Sequence, residues 1–422
     1  MEYKPYCART SEDLRIASKQ HGDKSVIWQL DRDDLVSSAS RWNLRHIIAY
    51  RLLVQPEAVF LPILATNHAL RCPICSAEDR PLTQKLNPVE TQNLTGENPR
   101  DLRMMTESDL MRLPEGFFWA ALARAIRPEI TDEDRVYPQR ERKPVRREGY
   151  MNSAMAIVGS SSPPPPPSSS EFEVEVEGLD QDEHEDRRSK PEEVTVHLVT
   201  AFLQFALNLC LCQHTVGIIT DSEVRTRVER RKTKTFISGM IPVAAEDDGG
   251  ICQLRRRALG WEMSHPYLAI LEAKRAFRYI SVDDKTGRRL PVVSNETLAQ
   301  YLGEAVVTWK ENQPLLSHGT FVRLVHFTFG RDYAEYLDAP DEESQLKIVG
   351  NEDKDATVQM QSTRWFDLES SDERRAAFCH ILALLRWHED RDASVRQDDE
   401  RSDTESDDSD DSMNSNNDGK LP

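Results

Sequence analysis

The sequence predicts an α/β protein in which a mixed central sheet is flanked by helices and preceded by a mainly helical N-terminal region. Apolar residues recur at helical spacing in several segments of the chain. Short runs of β-branched and aromatic residues lie between the helical segments of the second half. Such alternation of helix-forming and strand-forming segments is typical of a sheet sandwiched between helices.

Composition divides the chain into four regions. Residues 1–131 form the helical N-terminal region, and residues 132–193 form a charged linker, rich in Pro and Ser, that we expect to be disordered. Residues 194–388 form the α/β domain, and residues 389–422 form an acidic tail that we also expect to be disordered.

The negative charge is concentrated in two segments. Of the total net charge of −18, residues 389–422 carry −9 and residues 171–193 carry −8, which leaves about −1 for the rest of the chain. The regions predicted to fold are therefore close to neutral, so the acidic composition does not exclude a nucleic-acid partner. We expect the acidic tail to bind a basic partner or to inhibit the protein by folding back on its own basic residues.

Cysteine usage and the first residues of the chain predict a nuclear or cytoplasmic location. Seven cysteines in 422 residues do not form a disulfide framework, and the charged N-terminus lacks the apolar core of a secretory signal. The thiols are then expected to be reduced. The linker contains a basic cluster similar to a nuclear import signal: Arg140, Arg142, Lys143, Arg146 and Arg147.

The elements of the α/β domain follow from periodicity and capping. They are a helix at about 194–213, strands at 216–220, 224–238 and 267–271, a helix after Ser294, a strand at 320–329, and a helix at a Ser370-x-x-Glu373 capping box. Residues 194–220 lack charged side chains and are long enough to span a bilayer. Their polar residues would be costly in hydrocarbon, so a buried helix followed by a strand is favoured.

The motif Glu272-Ala273-Lys274 ends a five-residue apolar run, Tyr267 to Leu271. In a strand, Glu272 and Lys274 project from the same face. A carboxylate can bind Mg²⁺, and an ammonium group can hold an attacking water or stabilise charge on a phosphate. Two other Glu-x-Lys sequences, at 141–143 and 352–354, follow no apolar run. A surface ion pair at a strand end is the alternative interpretation of the motif.

The segment YLAILEAKRAF, followed by SNETLAQYLGEAVVTW and then TFVRLVHFTFGRDYAEYL, resembles the PD-(D/E)xK (restriction endonuclease-like) nuclease superfamily over residues 194–388. The resemblance implies hydrolysis of phosphodiester bonds in nucleic acid with Mg²⁺ or Mn²⁺. It assigns catalytic roles to Glu272, Lys274 and Gln300.

The same resemblance requires a second metal-binding carboxylate besides Glu272. The preceding stretch, residues 236–244, contains no acid where the family places its aspartate. Asp248, in the turn-like EDDGG, is the best candidate, and Asp247 and Asp221 are also nearby in sequence. Gln300 and Glu304 project away from the main apolar stripe of their helix, so they face the site only if that helix is covered on both sides.

Two further clusters suggest binding sites. Arg225, Arg227 and Arg231 share one face under period-two alternation and are candidates for contacts with nucleic-acid phosphates, or else line a solvated strand. His68, Cys72 and Cys75 have the spacing of part of a zinc site, but a fourth ligand would have to be distant, for example His46. No motif for a small-molecule cofactor is present.

Two functions therefore remain open from the sequence. The intact Glu-x-Lys motif favours a metal-dependent nuclease. The missing aspartate favours a catalytically inactive nuclease fold that acts as a nucleic-acid or protein interaction module.

Overall fold

The computed structural model describes residues 5–22, 24–66, 93–127, 192–209, 221–273, 279–282, 289–310 and 321–405. Within these ranges the chain is a mixed α/β protein. Met1–Ile126 and Lys190–Pro422 form one compact unit, whereas Arg127–Ser189 forms a second unit, of which only Arg127 is described.

Helices occur throughout the described part of the chain. In the N-terminal half they are α1 (Ser11–Gln20), α2 (Arg32–Leu35), α3 (Leu44–Ala49), α4 (Glu107–Leu110) and α5 (Gly116–Ile126), with 3₁₀ turns at Ile27–Gln29, Ala39–Arg41 and Pro62–Leu64. In the C-terminal half they are α6 (Glu192–Leu209), α7 (Asn295–Lys310), α8 (Tyr333–Asp338), α9 (Glu342–Val349) and α10 (Ser371–Glu405).

The strands are short except for two. They are β1 (Leu52–Val54), β2 (Ser222–Arg227), β3 (Lys232–Ile237), β4 (Ile241–Glu246), β5 (Gly250–Arg257), β6 (Gly260–Ile270), β7 (Tyr279–Val282), β8 (Arg289–Val292), β9 (Phe321–Val322), β10 (Val325–Phe329), β11 (Val358–Ser362) and β12 (Phe366–Asp367). They pair in the orders β1-β11-β10 and β2-β5-β6, and as the pairs β3-β4, β7-β8 and β9-β12.

The described strands thus form small sheets and not the expected single central sheet. The predicted strand at 320–329 is interrupted at Arg323 and Leu324, so β9 pairs with β12 while β10 pairs with β11. Arg323 is buried there and lies over the Trp365 ring. The predicted strand at 224–238 is also divided, because exposed residues 228–231 form the connection between β2 and β3. Hydrophobic pattern identifies strands but does not specify their partners.

Two hydrophobic cores meet at the end of β6. Leu268 and Leu271 pack in a core with α5, α6 and α10, whereas Tyr267 and Ile270 pack in a core with α3, α7 and β4. A strand end covered on both sides carries consecutive apolar residues and no polar alternation. This explains the apolar run that precedes Glu272.

The N-terminal region belongs to the same compact unit as the α/β domain, which composition did not indicate. Its strand β1 pairs in parallel with β11, from Leu52 opposite Val358 to Val54 opposite Met360. The hydroxyl groups of two tyrosines on α8 donate hydrogen bonds to backbone carbonyl oxygens at the end of α3, at 2.9 and 2.6 Å: Tyr333 to Tyr50 and Tyr336 to Ala49. An amphipathic pattern shows that a face is buried but does not identify the surface that buries it.

The predicted start of α7 is confirmed, whereas α10 extends further than the sequence predicted. The cap predicted for α7 is confirmed, because Ser294 Oγ accepts a hydrogen bond from the N–H of Thr297 at 3.1 Å. Helix α10 continues to Glu405 and so includes residues from 389 onward that we expected to be disordered. At its start, the Glu373 side chain accepts a hydrogen bond from the N–H of Asp367 at 2.6 Å, three residues before the predicted cap. No helix in the described ranges is both long enough and apolar enough to cross a membrane.

His46 closes the first turn of α3 from a buried position. Its Nδ1 accepts a hydrogen bond from the N–H of Asn43 at 3.2 Å, and its Nε2 lies 3.1 Å from the carbonyl oxygen of Asp34, to which it donates. Its ring stacks on Trp42 with 5.0 Å between the ring centres. Burial lowers the pKa of His46 below its ordinary value of 6.5. The neutral imidazole is therefore the form that the fold requires.

We predict that His46 makes the fold sensitive to acid. Because its pKa is lower in the folded protein than in the unfolded chain, its stabilising effect is complete above pH 6.5 and is lost as the pH falls from there toward the folded pKa. The free energy of unfolding, measured by urea denaturation at pH 7.5 and 5.5, should fall less in His46→Gln than in the wild type. Gln can accept the same Asn43 hydrogen bond without titrating. A fall equal to that of the wild type would contradict this, and His21→Gln, at an exposed position, is the control.

Candidate metal centre

Asp248 and Glu272 are brought together by the register of β5 and β6. Gly250 pairs with Ile270 at the end of the ladder. Beyond this pair the N–H of Asp248 donates to the Leu271 carbonyl at 2.8 Å, and the N–H of Leu271 donates to the Gly249 carbonyl at 2.9 Å. These bonds hold the two segments side by side, and oxygen atoms of the Asp248 and Glu272 carboxylates lie within 4.8 Å of each other.

The two glycines after Asp248 allow this pairing. Gly249 and Gly250 have φ values of 129° and 155°, in the region that favours glycine. A Cβ on Gly249 would lie 2.6 Å from the Arg227 carbonyl oxygen, and a Cβ on Gly250 would collide with the Ala269 backbone. Because neither glycine carries a Cβ, β5 can approach β2 and β6 closely at the position next to Asp248.

Backbone and side-chain contacts fix the orientation of Asp248. Its Oδ2 accepts a hydrogen bond from the N–H of Ala273 at 3.0 Å, and its Oδ1 lies 3.1 Å from Nη2 of Arg230. The Asp248 side chain is only 8% exposed, whereas that of Arg230 is 49% exposed. Asp248 is thus held against the segment that carries Glu272, with a cation at the solvent side.

Gln300 reaches the centre from α7. Its Nε2 donates hydrogen bonds to Oε1 of Glu272 and to Oε1 of Glu304, the latter at 2.9 Å. Helix α7 is buried on nearly all sides, and Glu304 is 1% exposed. Helix α7 is thus covered on both sides, which is the condition under which Gln300 and Glu304 were expected to face the site. Gln300 therefore links two buried carboxylates and orients Glu272.

A third carboxylate, Glu192, was not identified from the sequence. It lies in the first turn of α6, and oxygen atoms of Glu192, Asp248 and Glu272 all lie within 4.8 Å of one another. Composition assigned Glu192 to the acidic linker because the helix was predicted to begin at about residue 194. An acid at the start of an apolar helix, where the helix dipole favours negative charge, was the signal that could have found it.

Several features predicted from the sequence lie outside the described residues. Lys274 is among them, as are the basic cluster at 140–147, the strand predicted at 216–220 and the three residues of the proposed zinc motif, His68, Cys72 and Cys75. The suggested distant zinc ligand, His46, is not free to bind a metal, because both of its ring nitrogens are engaged in the hydrogen bonds of α3 described above.

Arg227 does not lie on a phosphate-binding surface, contrary to the sequence prediction. Its side chain is 1% exposed and donates two hydrogen bonds to Asp247, at 3.0 and 2.7 Å. Asp247 also accepts from the N–H groups of Arg231 and Gly249. Burial raises the pKa of the Asp247 carboxyl, and these partners oppose the rise. This buried pair stabilises the turn that presents Asp248.

The other two arginines of the predicted face are exposed. Arg225 lies on β2, and Arg231 lies with its guanidinium 5.1 Å from the centre of the Tyr267 ring. Period-two alternation predicted one shared face, but β2 ends at Arg227, and Arg231 belongs to the following connection. Of the three, Arg225 and Arg231 therefore remain accessible to a ligand.

We predict that Arg227→Met lowers the free energy of unfolding by about 3–5 kcal/mol, because it leaves the Asp247 carboxylate buried without its cation. Arg225→Met, at an exposed position of the same strand, should change it by no more than about 0.5 kcal/mol. Urea denaturation monitored by circular dichroism measures both values.

The double variant Arg227→Met/Asp247→Asn separates loss of the pair from loss of packing. It should recover part of the lost stability, since no charge is then left buried. Equal effects of Arg227→Met and Arg225→Met would show that the pair has no structural role.

Comparison with known proteins gives no relative for this chain. No family model matches it, and neither a curated protein nor a solved structure is significantly similar to it. The site described above is therefore defined by its own residues and geometry.

Proposed function

We propose that the protein is a metal-dependent hydrolase of phosphodiester bonds in nucleic acid, with Mg²⁺ or Mn²⁺ held by Glu192, Asp248 and Glu272. The observation that carries this proposal is the convergence of these three carboxylates from a helix, a turn and a strand end. We further propose that residues 194–388 are a PD-(D/E)xK nuclease-like domain. The order of acid-bearing turn, hairpin, Glu-x-Lys motif and Gln-bearing helix supports that assignment.

The chemistry of the ligand atoms suits a hard divalent cation. Mg²⁺ and Mn²⁺ prefer oxygen ligands, and all three groups are carboxylates. Two ionised carboxylates about 5 Å apart repel each other by about 3 kcal/mol at an effective dielectric constant of 20. Asp248 and Glu272 are both buried, so water screens this repulsion poorly. A bound divalent cation would offset it.

The protein groups around this centre have distinct proposed roles. A bound Mg²⁺ or Mn²⁺ would supply positive charge that lowers the pKa of water and stabilises charge on the phosphate. Gln300 holds Glu272 in position through its amide. Lys274, two residues beyond Glu272, is proposed to orient the attacking water and to stabilise charge on the phosphate. Arg230, half-exposed beside Asp248, is positioned to attract the polyanion.

The second candidate function is a catalytically inactive nuclease fold that binds nucleic acid or protein. Exposed basic residues around β2 and β3 support it independently of the carboxylates: Arg225, Arg231, Lys232 and Lys234. Such a surface can contact phosphates without reading sequence. Nucleic-acid binding without metal-dependent cleavage would favour this function.

We predict that the full-length protein binds Mn²⁺, measured by titration calorimetry or by the decrease in the free Mn²⁺ paramagnetic resonance signal. Asp248→Asn and Glu272→Gln should abolish binding, because each removes a charged ligand. Gln300→Met should weaken binding about 10- to 100-fold, because it removes the group that orients Glu272. Glu352→Gln, in the exposed Glu-x-Lys sequence on the connection after α9, should bind as the wild type does. Unchanged Mn²⁺ affinity in Asp248→Asn would exclude this site.

We also predict cleavage of DNA or RNA that requires Mg²⁺ or Mn²⁺ and is lost in Glu272→Gln and Lys274→Met. Gel electrophoresis of labelled single- and double-stranded substrates measures it, again with Glu352→Gln as the active control. Activity that survives in chelator, or in Glu272→Gln, would refute the proposed mechanism. Mn²⁺ binding and nucleic-acid binding without any cleavage would support the interaction module instead.

A further inference from the structure

The hairpin of β5 and β6 extends beyond the sheet that holds its base. Strand β2 pairs with β5 as far as Ser222 opposite Arg255, and the N–H of Arg256 donates to the Asp221 carbonyl at 2.6 Å. From Arg257 onward β5 and β6 form a two-stranded ribbon. Residues 255–262, which we name the arm, are all exposed. A two-stranded ribbon with no covered face contributes little to its own stability. Its exposure on both faces leaves it free to contact a partner.

The arm carries positive charge on both faces and an apolar tip. Arg255, Arg256 and Arg257 are consecutive, so their side chains alternate between the two faces of the ribbon. Arg257 pairs with Glu262 at 2.8 Å, while Arg255 and Arg256 have no ion-pair partner within the described ranges. Leu259 at the turn is fully exposed, and Trp261 is 49% exposed.

This charge distribution fits a groove more closely than a flat surface. The major groove of B-form DNA is about 12 Å wide, admits a two-stranded β-ribbon, and has a phosphate backbone on each side. A ribbon that is basic on both faces can contact both backbones. A single strand offers only one phosphate backbone, so it leaves the charge on the second face without a partner, and the major groove of duplex RNA is too narrow for side chains to enter.

The arm is also directly connected to the candidate metal centre. Strand β5 begins two residues after Asp248, and β6 ends two residues before Glu272. Gly260, the first residue of β6, lies 12 residues before Glu272, so at about 3.3 Å per residue the end of the ribbon lies about 40 Å from Glu272 along the chain.

We propose that the arm inserts into the major groove of the double-stranded DNA that occupies the metal centre. This proposal rests on the proposed function, because it takes the nucleic acid that is hydrolysed at the metal centre to be duplex DNA. Binding by the arm, however, requires neither the metal nor cleavage, so the two proposals are tested separately.

The test uses the full-length protein in chelator and a fluorescein-labelled 30-base-pair duplex, with binding followed by fluorescence anisotropy. The double variant Arg255→Gln/Arg256→Gln should bind about 10-fold more weakly than the wild type at moderate salt. Its plot of log affinity against log salt concentration should be shallower by about 2, since each phosphate that no longer meets an arginine reduces the slope by about 0.9. Arg15→Gln/Arg112→Gln, which removes the same charge from two exposed positions, one in α1 and one in the turn after α4, is the matched control and should bind as the wild type does.

Two modified probes test groove insertion itself. A duplex whose cytosines carry bulky glucosylated groups at C5, in the major groove, should bind the wild type as weakly as the plain duplex binds the arm variant. The arm variant should lose little affinity for single-stranded DNA of the same length. Equal losses on single-stranded and duplex DNA, or full affinity for the glucosylated duplex, would overturn the proposal.

Sedimentation distinguishes DNA insertion from association of two copies of the chain through the arm. A wild type that sediments as a dimer, and as a monomer when Trp261→Ser is introduced, with duplex affinity unchanged, would overturn DNA insertion. A wild type that remains monomeric, with duplex affinity reduced in the arm variant, supports it.

The proposal for the arm and the proposal for the metal centre can be refuted independently of each other. If the arm variant loses duplex binding but the wild type neither binds Mn²⁺ nor cleaves DNA, the proposed hydrolase fails and the DNA-binding arm stands. If Mn²⁺ binding and cleavage occur and the arm variant binds duplex DNA normally, only the arm proposal fails.

Discussion

The antiparallel pairing of β5 with β6 is the constraint on which the geometry of the site depends. Gly250 pairs with Ile270, and the hydrogen bonds of Asp248 and Gly249 with Leu271 continue the contact beyond this pair. This contact brings oxygen atoms of Asp248 and Glu272 within 4.8 Å of each other. The pairing is held in place by Gly249 and Gly250 on one side and by the buried end of β6 on the other.

The two hydrophobic cores that meet at β6 also determine which helices reach the site. Helix α6 packs in one core and delivers Glu192, while α7 packs in the other and delivers Gln300 and Glu304. Burial on both sides explains how polar residues of α7 can face an interior centre. Hydrogen bonds to Asp248, Glu272 and Glu304 reduce the cost of removing these carboxylates from water.

Adjacent aspartates in the EDDGG turn take different roles for a simple geometric reason. Successive side chains of an extended chain point to opposite sides. Asp247 points to Arg227 and forms a buried ion pair, whereas Asp248 points to Glu272. Removal of Asp247 would therefore lower the stability of the turn, whereas removal of Asp248 would alter the proposed metal centre.

Sequence patterns predicted the local elements and the apolar strand that precedes the Glu-x-Lys motif. The apolar helix at α6, the Ser294 cap of α7 and the buried strand before Glu272 all follow from periodicity and capping, which are short-range properties. Tertiary structure alone decided the contacts between distant segments: the pairing of β1 with β11, the burial of Arg227 and the arrival of Glu192 at the site. These depend on which surfaces pack together, and a hydrophobic pattern shows that a face is buried without specifying what it is buried against.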